Sequence, residues 1–339
     1  MKRIRYFIIG LIVPAMMASC HNDPVSYRDF KYNAVYFPLQ YPIRTLILGD
    51  SRSDNSLDKT LAFHIGVSIG GEYQNKKPWT VSYQLDNSLV PDGMTTTDGD
   101  TLHILPPKYY TLNPVGSVAI PVDSFSGLIL VQLTDAFLDD PLAITGQYVI
   151  PLRITATSAD SILSGVPFVA NPSRTNPADW DPNSEPKDFV LFGIKYINPY
   201  HGNYLHRGID IGINATGDTV SRDVYHQPYV VDDQLWSLTT TGRATVITDG
   251  TGSQTTAGTK MILKVSDDGS VAVTPVAGAT FQASGVGKYI KGGDAWGGVP
   301  QNAFFLNYIY KSGSITHVVS DTLVFRDNGV VFQQFTVQN

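Results

Sequence analysis

The 339-residue chain has one cysteine, Cys20, so no disulfide framework can form within it and its cores must be built by ordinary packing. Charge is also scarce. Asp, Glu, Lys and Arg make up 16% of the chain, and acids outnumber bases by 30 to 24. That balance excludes the basic stripe that supplies most nucleic-acid affinity, and a polybasic membrane patch as well. Amphipathic helical periodicity is missing. The chain also has no H-E-x-x-H, no P-loop and no dinucleotide fingerprint, so the commonest zinc-protease and nucleotide chemistries have no sequence support. What is abundant is Gly (30), Pro (21) and Tyr (18). Glycine and proline punctuate short strands and tyrosine favours them, which points to an all-β chain.

The N-terminus reads as an export signal. Lys2, Arg3 and Arg5 precede an apolar run from Tyr6 to Met17, followed by Ala18, Ser19 and Cys20. The run is shorter than the roughly 20 residues a membrane-spanning helix needs. A cysteine directly after small residues is the processing site of a bacterial lipoprotein, which makes residues 1–19 the signal peptide and Cys20 the lipidated N-terminus. Each buried methylene contributes about 0.8 kcal/mol, so acyl chains on Cys20 would hold a soluble protein on a membrane it does not cross. Met17 stands where Leu is commoner, and the segment after the cysteine, His21-Asn22-Asp23-Pro24, has a single acid. Without residues 1–19, 21 basic residues face 30 acidic ones, a net charge of −9. The expected location is the outer membrane, with its face undecided.

After a tether over 20–33, about seven strand-like runs follow between 34 and 156, including Leu61–Ile69, Thr80–Leu85, Leu128–Leu133 and Gln147–Ala156. Short strands at this spacing suit an immunoglobulin-like β-sandwich. Residues 157–188 carry Pro167, Pro172, Pro177, Pro182 and Pro186 among Asn, Ser and Asp, and read as a Pro-rich linker. From Phe189 the rhythm is that of hairpins, with turns at Asp267-Asp268-Gly269, Lys311-Ser312-Gly313-Ser314 and Asn328-Gly329, the last leading into Val330–Val337. A run of sequential hairpins that must hide its edges predicts an up-and-down, lipocalin-like β-barrel over 189–339, with a second sandwich as the alternative.

Several motifs suggest chemistry and fail on context. Gly66-Val67-Ser68-Ile69-Gly70 has the spacing of a nucleophile elbow, but Phe63, Ile65, Val67 and Ile69 alternate as in a plain strand and no helix follows Ser68. Asp179, Asp181, Asn183 and Glu185 alternate like the start of a calcium loop, yet Ser184 and Val190 stand where an EF-hand needs Gly and Glu. His201 and His206 lack a third nitrogen or sulfur ligand for zinc. The adjacent acids Asp139-Asp140, Asp232-Asp233 and Asp267-Asp268 do not form the spaced pair that glycoside hydrolysis uses. No metal, cofactor or catalytic residue is therefore expected. Trp180 in the Pro-rich segment, Tyr200, and Trp296 amid glycines are the candidates for stacking on sugar rings. For Trp296 the competing reading is a plug over the barrel end.

The order of short motifs resembles a two-domain family of Bacteroidetes lipoproteins. The N-terminal part of the resemblance lies in Cys20, Phe63–Gly71, Tyr83-Gln84-Leu85-Asp86, Leu105-Pro106, Tyr109-Tyr110 and Tyr148–Leu152. The C-terminal part lies in Lys195–Tyr204 and Asp321–Asp327. The resemblance implies a chain encoded beside outer-membrane glycan importers of the starch-utilisation type, and a role in binding polysaccharide or oligosaccharide. Docking on such an importer through the sandwich is the second expectation, and a hydrolase with an unrecognised site the third.

Overall fold

The structure is a computed structural model that describes residues 29–338. Cys20, the signal segment and most of the tether lie outside the described residues. The architecture is almost entirely β, with a single short α-helix, Ser56–Lys59, among the described residues.

The sandwich follows from strands whose side chains alternate in burial. In Ala62–Gly70, Phe63, Ile65, Val67 and Ile69 point inward, and in Ser126–Leu133 so do Ile129, Val131 and Leu133. One sheet runs Ser161–Ile162, Ala34–Tyr36, Ala62–Gly70, Ser126–Leu133, Tyr110–Asn113. The facing sheet runs Gln333–Gln334, Pro42–Ile47, Phe189–Ile197, Tyr148–Thr157, Trp79–Leu85, Ser117–Ile120. Their inner faces share one core that includes Phe37, Trp79, Tyr83, Leu105, Phe137 and Tyr196. Phe189–Ile197 is buried on both faces, because a second cluster around Leu89, Met94, Leu191 and Phe335 covers its outer side.

The second half closes into an eight-stranded antiparallel barrel of successive neighbours. The strands are Gly202–Ile213, Gln234–Gly242, Thr245–Ile247, Met261–Val265, Ser270–Pro275, Ser284–Trp296, Val299–Ser312 and Ile315–Asp327. Closure comes from the last strand pairing with the first, from Asn203↔Asp327 to Ile213↔Thr316. This is the up-and-down barrel expected from the hairpin rhythm, and it leaves no open edge along the seam. The turn between Trp296 and Val299 is Gly297-Gly298, with φ of +60° and +75°, a conformation that costs other residues a Cβ clash.

Three expectations about boundaries are corrected. Phe189–Ile197 does not open the barrel; it pairs with Tyr148–Thr157 on one side and in parallel with Pro42–Ile47 on the other, as an inner strand of the sandwich. Residues 157–188 are not a free linker, since Ser161–Ile162 pairs with Ala34–Val35 and the Pro-rich excursion folds back on the sandwich. Asn328-Gly329 does not turn a hairpin into Val330–Val337. The chain leaves the barrel there, and Gln333–Gln334 pairs with Pro42–Ile43 while Val337–Gln338 pairs with Thr95–Thr96. The barrel is thus inserted into the sandwich, joined to it at both of its chain ends.

Candidate functional site

Two sets of contacts fix the barrel against the sandwich. The Arg243 guanidinium, on the turn after Gln234–Gly242, donates to Asp139 Oδ1 at 2.6 Å and to Asp135 Oδ2 at 2.6 Å. Asn198 Nδ2 donates to the carbonyls of Gly242 and Thr245 at 2.8 and 2.9 Å, and its backbone N–H donates to Thr240 Oγ1. Beside them, His201 Nδ1 accepts from the Thr240 N–H at 3.0 Å. Burial, and then the nearby charge of Lys195, hold the His201 imidazole down at about 4 from its ordinary 6.5, so it is neutral as its acceptor role requires.

Elsewhere along their boundary the two units part to leave a crevice of about 630 Å³. The sandwich wall comes from Arg44 and Ile47 and from the turn Asp50-Ser51-Arg52-Ser53. The barrel wall comes from Val299–Asn302 and from 325–328. Asn302 Nδ2 donates across the gap to Asp50 Oδ2 at 2.9 Å. Asp327 Oδ1 accepts from Asn203 Nδ2 at 2.7 Å and from the Gly329 N–H at 2.9 Å, which pins the strand end where the barrel closes. Arg44 is paired with the buried Asp58, and Arg326 lies 3.7 Å from Asp327. Arg52 is exposed and makes no hydrogen bond or ion pair among the described residues. Amides, hydroxyls, carboxylates and guanidinium groups thus share one opening with the apolar faces of Phe325, Val299 and Pro300. A polyhydroxylated ring needs that mixture: donors and acceptors around its rim, apolar surface against its C–H face.

Trp296 pairs with Val299 on the crevice wall, and its indole Nε1 donates to the Phe325 carbonyl at 3.0 Å. It is half-buried, placed beside the opening by that bond, with its N–H already used. Tyr200 stands one layer behind. Its ring meets Tyr289 edge-on at 4.8 Å and Phe304 at 6.2 Å. The Tyr289 phenol is pushed up first by burial and then by the negative charge of Asp50. Trp180 is elsewhere, and the expectation of an exposed platform there is corrected. It is 4% exposed, its Nε1 donates to the Ser173 carbonyl at 2.7 Å, and the Arg174 guanidinium lies 5.5 Å over its ring. The Pro-rich segment closes on this indole, which serves as that segment's own small core.

The remaining motifs have structural employment. Ser68 Oγ faces Ser126 Oγ across two strands at 3.3 Å. Asp179 accepts from Ser173 N–H and Asn176 Nδ2, and Asp181 from Asn183 N–H, so these acids cap turns. Among the described residues no group of three or more His, Cys, Asp or Glu is arranged to hold a metal ion.

Inside the barrel lies a polar network that the hairpin pattern did not reveal. Asp321 accepts from the hydroxyls of Tyr225 and Tyr308. Asp210 accepts from Tyr310 Oη at 2.7 Å and binds His317 Nδ1 at 2.7 Å. His206 is stacked on Trp236 at 3.7 Å. Its Nε2 is 3.3 Å from Asp321 Oδ1, but off the line of a good hydrogen bond. The signal in sequence was alternation: His206, Gly208 and Asp210 share the inward face, as do Asp321 and His317. Gly208 lets the network close, since a Cβ there would stand 2.3 Å from Asp321 Oδ1. The crevice residues Asp50, Arg52, Asn302 and Arg326 were missed because each is an ordinary polar residue in its own loop, and only the fold brings them together.

Comparison with known proteins follows the same two-part division. A family model described as a domain of unknown function (DUF5627) matches residues 199–329, and a model of an N-terminal domain matches residues 30–161. A crystal structure of a Bacteroides ovatus protein of unknown function is 34% identical, with a TM-score of 0.81, and the match covers 91% of this chain and 99% of that one. A second B. ovatus protein of unknown function is 11% identical (TM-score 0.45), covering 90% of this chain and 99% of that one. An auxiliary nutrient binding protein from Bacteroides thetaiotaomicron is 12% identical (TM-score 0.37), covering 84% and 90%. No curated protein matches the chain.

Proposed function

The chain belongs to the two-domain Bacteroidetes family that joins such an N-terminal domain to a DUF5627 domain, and from that premise we propose that it is a lipid-anchored, non-catalytic glycan-binding protein of a polysaccharide-utilisation system. The observation that carries the reading is the crevice between sandwich and barrel. It combines two planar amides, Gln301 and Asn302, with carboxylates, guanidinium groups and the apolar faces of Phe325, Val299 and Pro300 in one opening of about 630 Å³, with Trp296 bonded to the Phe325 carbonyl beside it. The volume is within the range of about 300–1,000 Å³ typical of small-molecule sites. The lipid anchor at Cys20 would hold the crevice at the outer membrane, where polysaccharide is met first.

The test is a glycan array followed by affinity electrophoresis of the full chain in detergent. Retention by one polysaccharide, weakened about two- to tenfold in Trp296→Ala, is expected, since an aromatic contact of this kind contributes roughly 0.5–1.5 kcal/mol. Release of reducing ends from any polysaccharide would instead point to a hydrolase.

A second reading, docking on an outer-membrane importer, draws on an apolar groove of about 450 Å³ on the sandwich, lined by Leu39, Ile43, Phe192, Val331 and Phe332 among others. Val331 and Phe332 are 69% and 68% exposed. Paired apolar side chains this open on a returning tail are of the kind that protein partners cover. Co-purification with the importer, lost in Phe332→Ser while glycan retention stays, would favour this role.

A further inference from the structure

We infer that the crevice is built for an acidic glycan, one carrying carboxylate or sulfate groups, and that Arg52 is the residue that recognises the anion. The inference rests on the glycan-binding reading and names the class of glycan.

Three arginines line this one opening, Arg44, Arg52 and Arg326, against two carboxylates, Asp50 and Asp327. In a chain where acids outnumber bases, that local excess of positive charge is against the trend. The carboxylates are already engaged. Asp50 accepts from Asn302 and lies 3.9 Å from Lys59 Nζ, and Asp327 accepts from Asn203 and Gly329. Two of the arginines are engaged as well, Arg44 by Asp58, which is 2% exposed, and Arg326 by its neighbour Asp327. Arg52 alone has no partner among the described residues.

A free guanidinium at a binding opening has a definite chemical meaning. Its planar fork matches the two oxygens of a carboxylate or sulfate, and such charge-assisted pairs are about twice as strong as neutral hydrogen bonds. A neutral sugar offers hydroxyls that the Gln301 amide and the Ser51 and Ser53 hydroxyls meet without it. The overall negative charge of the protein does not oppose the assignment. At physiological ionic strength the Debye length is about 8 Å, so acids on the far sides of both units are screened and the local set decides. Phe325, Val299 and Pro300 on the opposite wall then supply apolar surface for the ring that carries the anion, and Trp296 stands beside them.

The experiment is affinity electrophoresis of the full chain, wild type beside Arg52→Ala, Arg52→Lys and Trp296→Ala, all at 150 mM salt. The gels contain polygalacturonate, its carboxyl-reduced neutral form, chondroitin sulfate, desulfated chondroitin, and a panel of neutral plant and microbial glycans. Arg52 is exposed, so its variants keep the fold. The expected result is retention on an acidic polymer, weakened at least tenfold by Arg52→Ala and only partly restored by Arg52→Lys. Comparison of the carboxylate and sulfate pairs tells which anion is read. Retention on a neutral glycan, unaffected by Arg52→Ala but lost in Trp296→Ala, would overturn the inference and leave the glycan-binding reading intact. Acidic retention indifferent to Arg52 would overturn the inference too. No retention on any polymer would overturn both.

Discussion

At the scale of single residues, Trp180 and Trp296 are each held by one indole N–H bond to a backbone carbonyl. Trp180 and Trp296 both sit in segments rich in helix- and strand-breakers, yet one is buried and the other stands at an opening. The difference lies in their partners: the Ser173 carbonyl and Arg174 of the same folded-back segment for the first, the Phe325 carbonyl of another barrel strand for the second. Trp180→Ala should therefore cost about 3–5 kcal/mol of stability in urea unfolding and leave glycan retention of the folded fraction unchanged. His201 gives a pH test. Its folded value of about 4 lies below its ordinary 6.5, so between those values the unfolded chain takes up a proton that the folded chain refuses. The contribution is whole above pH 6.5 and is lost as pH falls toward 4. From pH 7 to pH 5 the loss from this group should be on the order of 2 kcal/mol. His201→Gln, which keeps an acceptor for the Thr240 N–H, should lose less stability than wild type over that interval. Equal losses in the two proteins would show that carboxylates alone set the pH dependence.

At the scale of elements, strand positions were legible and strand partners were not. Alternation in Phe63–Ile69 and the glycine-marked hairpins of the barrel are local signals, and they placed those strands and their meander. Phe189–Ile197 was also legible as a strand. Its place between Pro42–Ile47 and Tyr148–Thr157 depends on a parallel pairing with a segment far back in the chain, which leaves no local mark. The returning tail was misread for the same reason, because Asn328-Gly329 has the composition of a hairpin turn and acts as an exit. Phe335 seats that tail, with its ring 5.5 Å from Tyr41 and within the cluster of Phe189 and Leu191. Phe335→Ala should cost about 3 kcal/mol, and hydrogen exchange should quicken along Pro42–Ile47 and leave the barrel strands protected. Faster exchange spread evenly over the barrel would contradict this assignment of the tail.

At the scale of the whole molecule, all-β architecture and a two-part plan could be read from composition and rhythm. The insertion of one part into the other could not, since it depends on where the chain returns. The crevice, which needs a wall from each part, was invisible for that reason. Anchorage belongs to this scale too. Labelled palmitate should enter the wild-type chain and be absent from Cys20→Ala, which should move from the membrane fraction to the soluble one. Labelling of the variant equal to wild type would remove Cys20 as the anchor.

The chain enters and leaves the barrel through neighbouring residues of paired strands, Asn203 and Asp327. A unit whose two ends lie about 5 Å apart can be exchanged for another closed unit while its host keeps its strand pairing, losing only the contacts of Arg243 and Asn198 that seat this one. The sandwich then acts as a fixed handle and the barrel as an interchangeable head. Each exchange would rewrite the Val299–Asn302 wall of the crevice and keep the Asp50–Ser53 wall, so that new ligand preferences would arise by grafting half a site onto a half already in place.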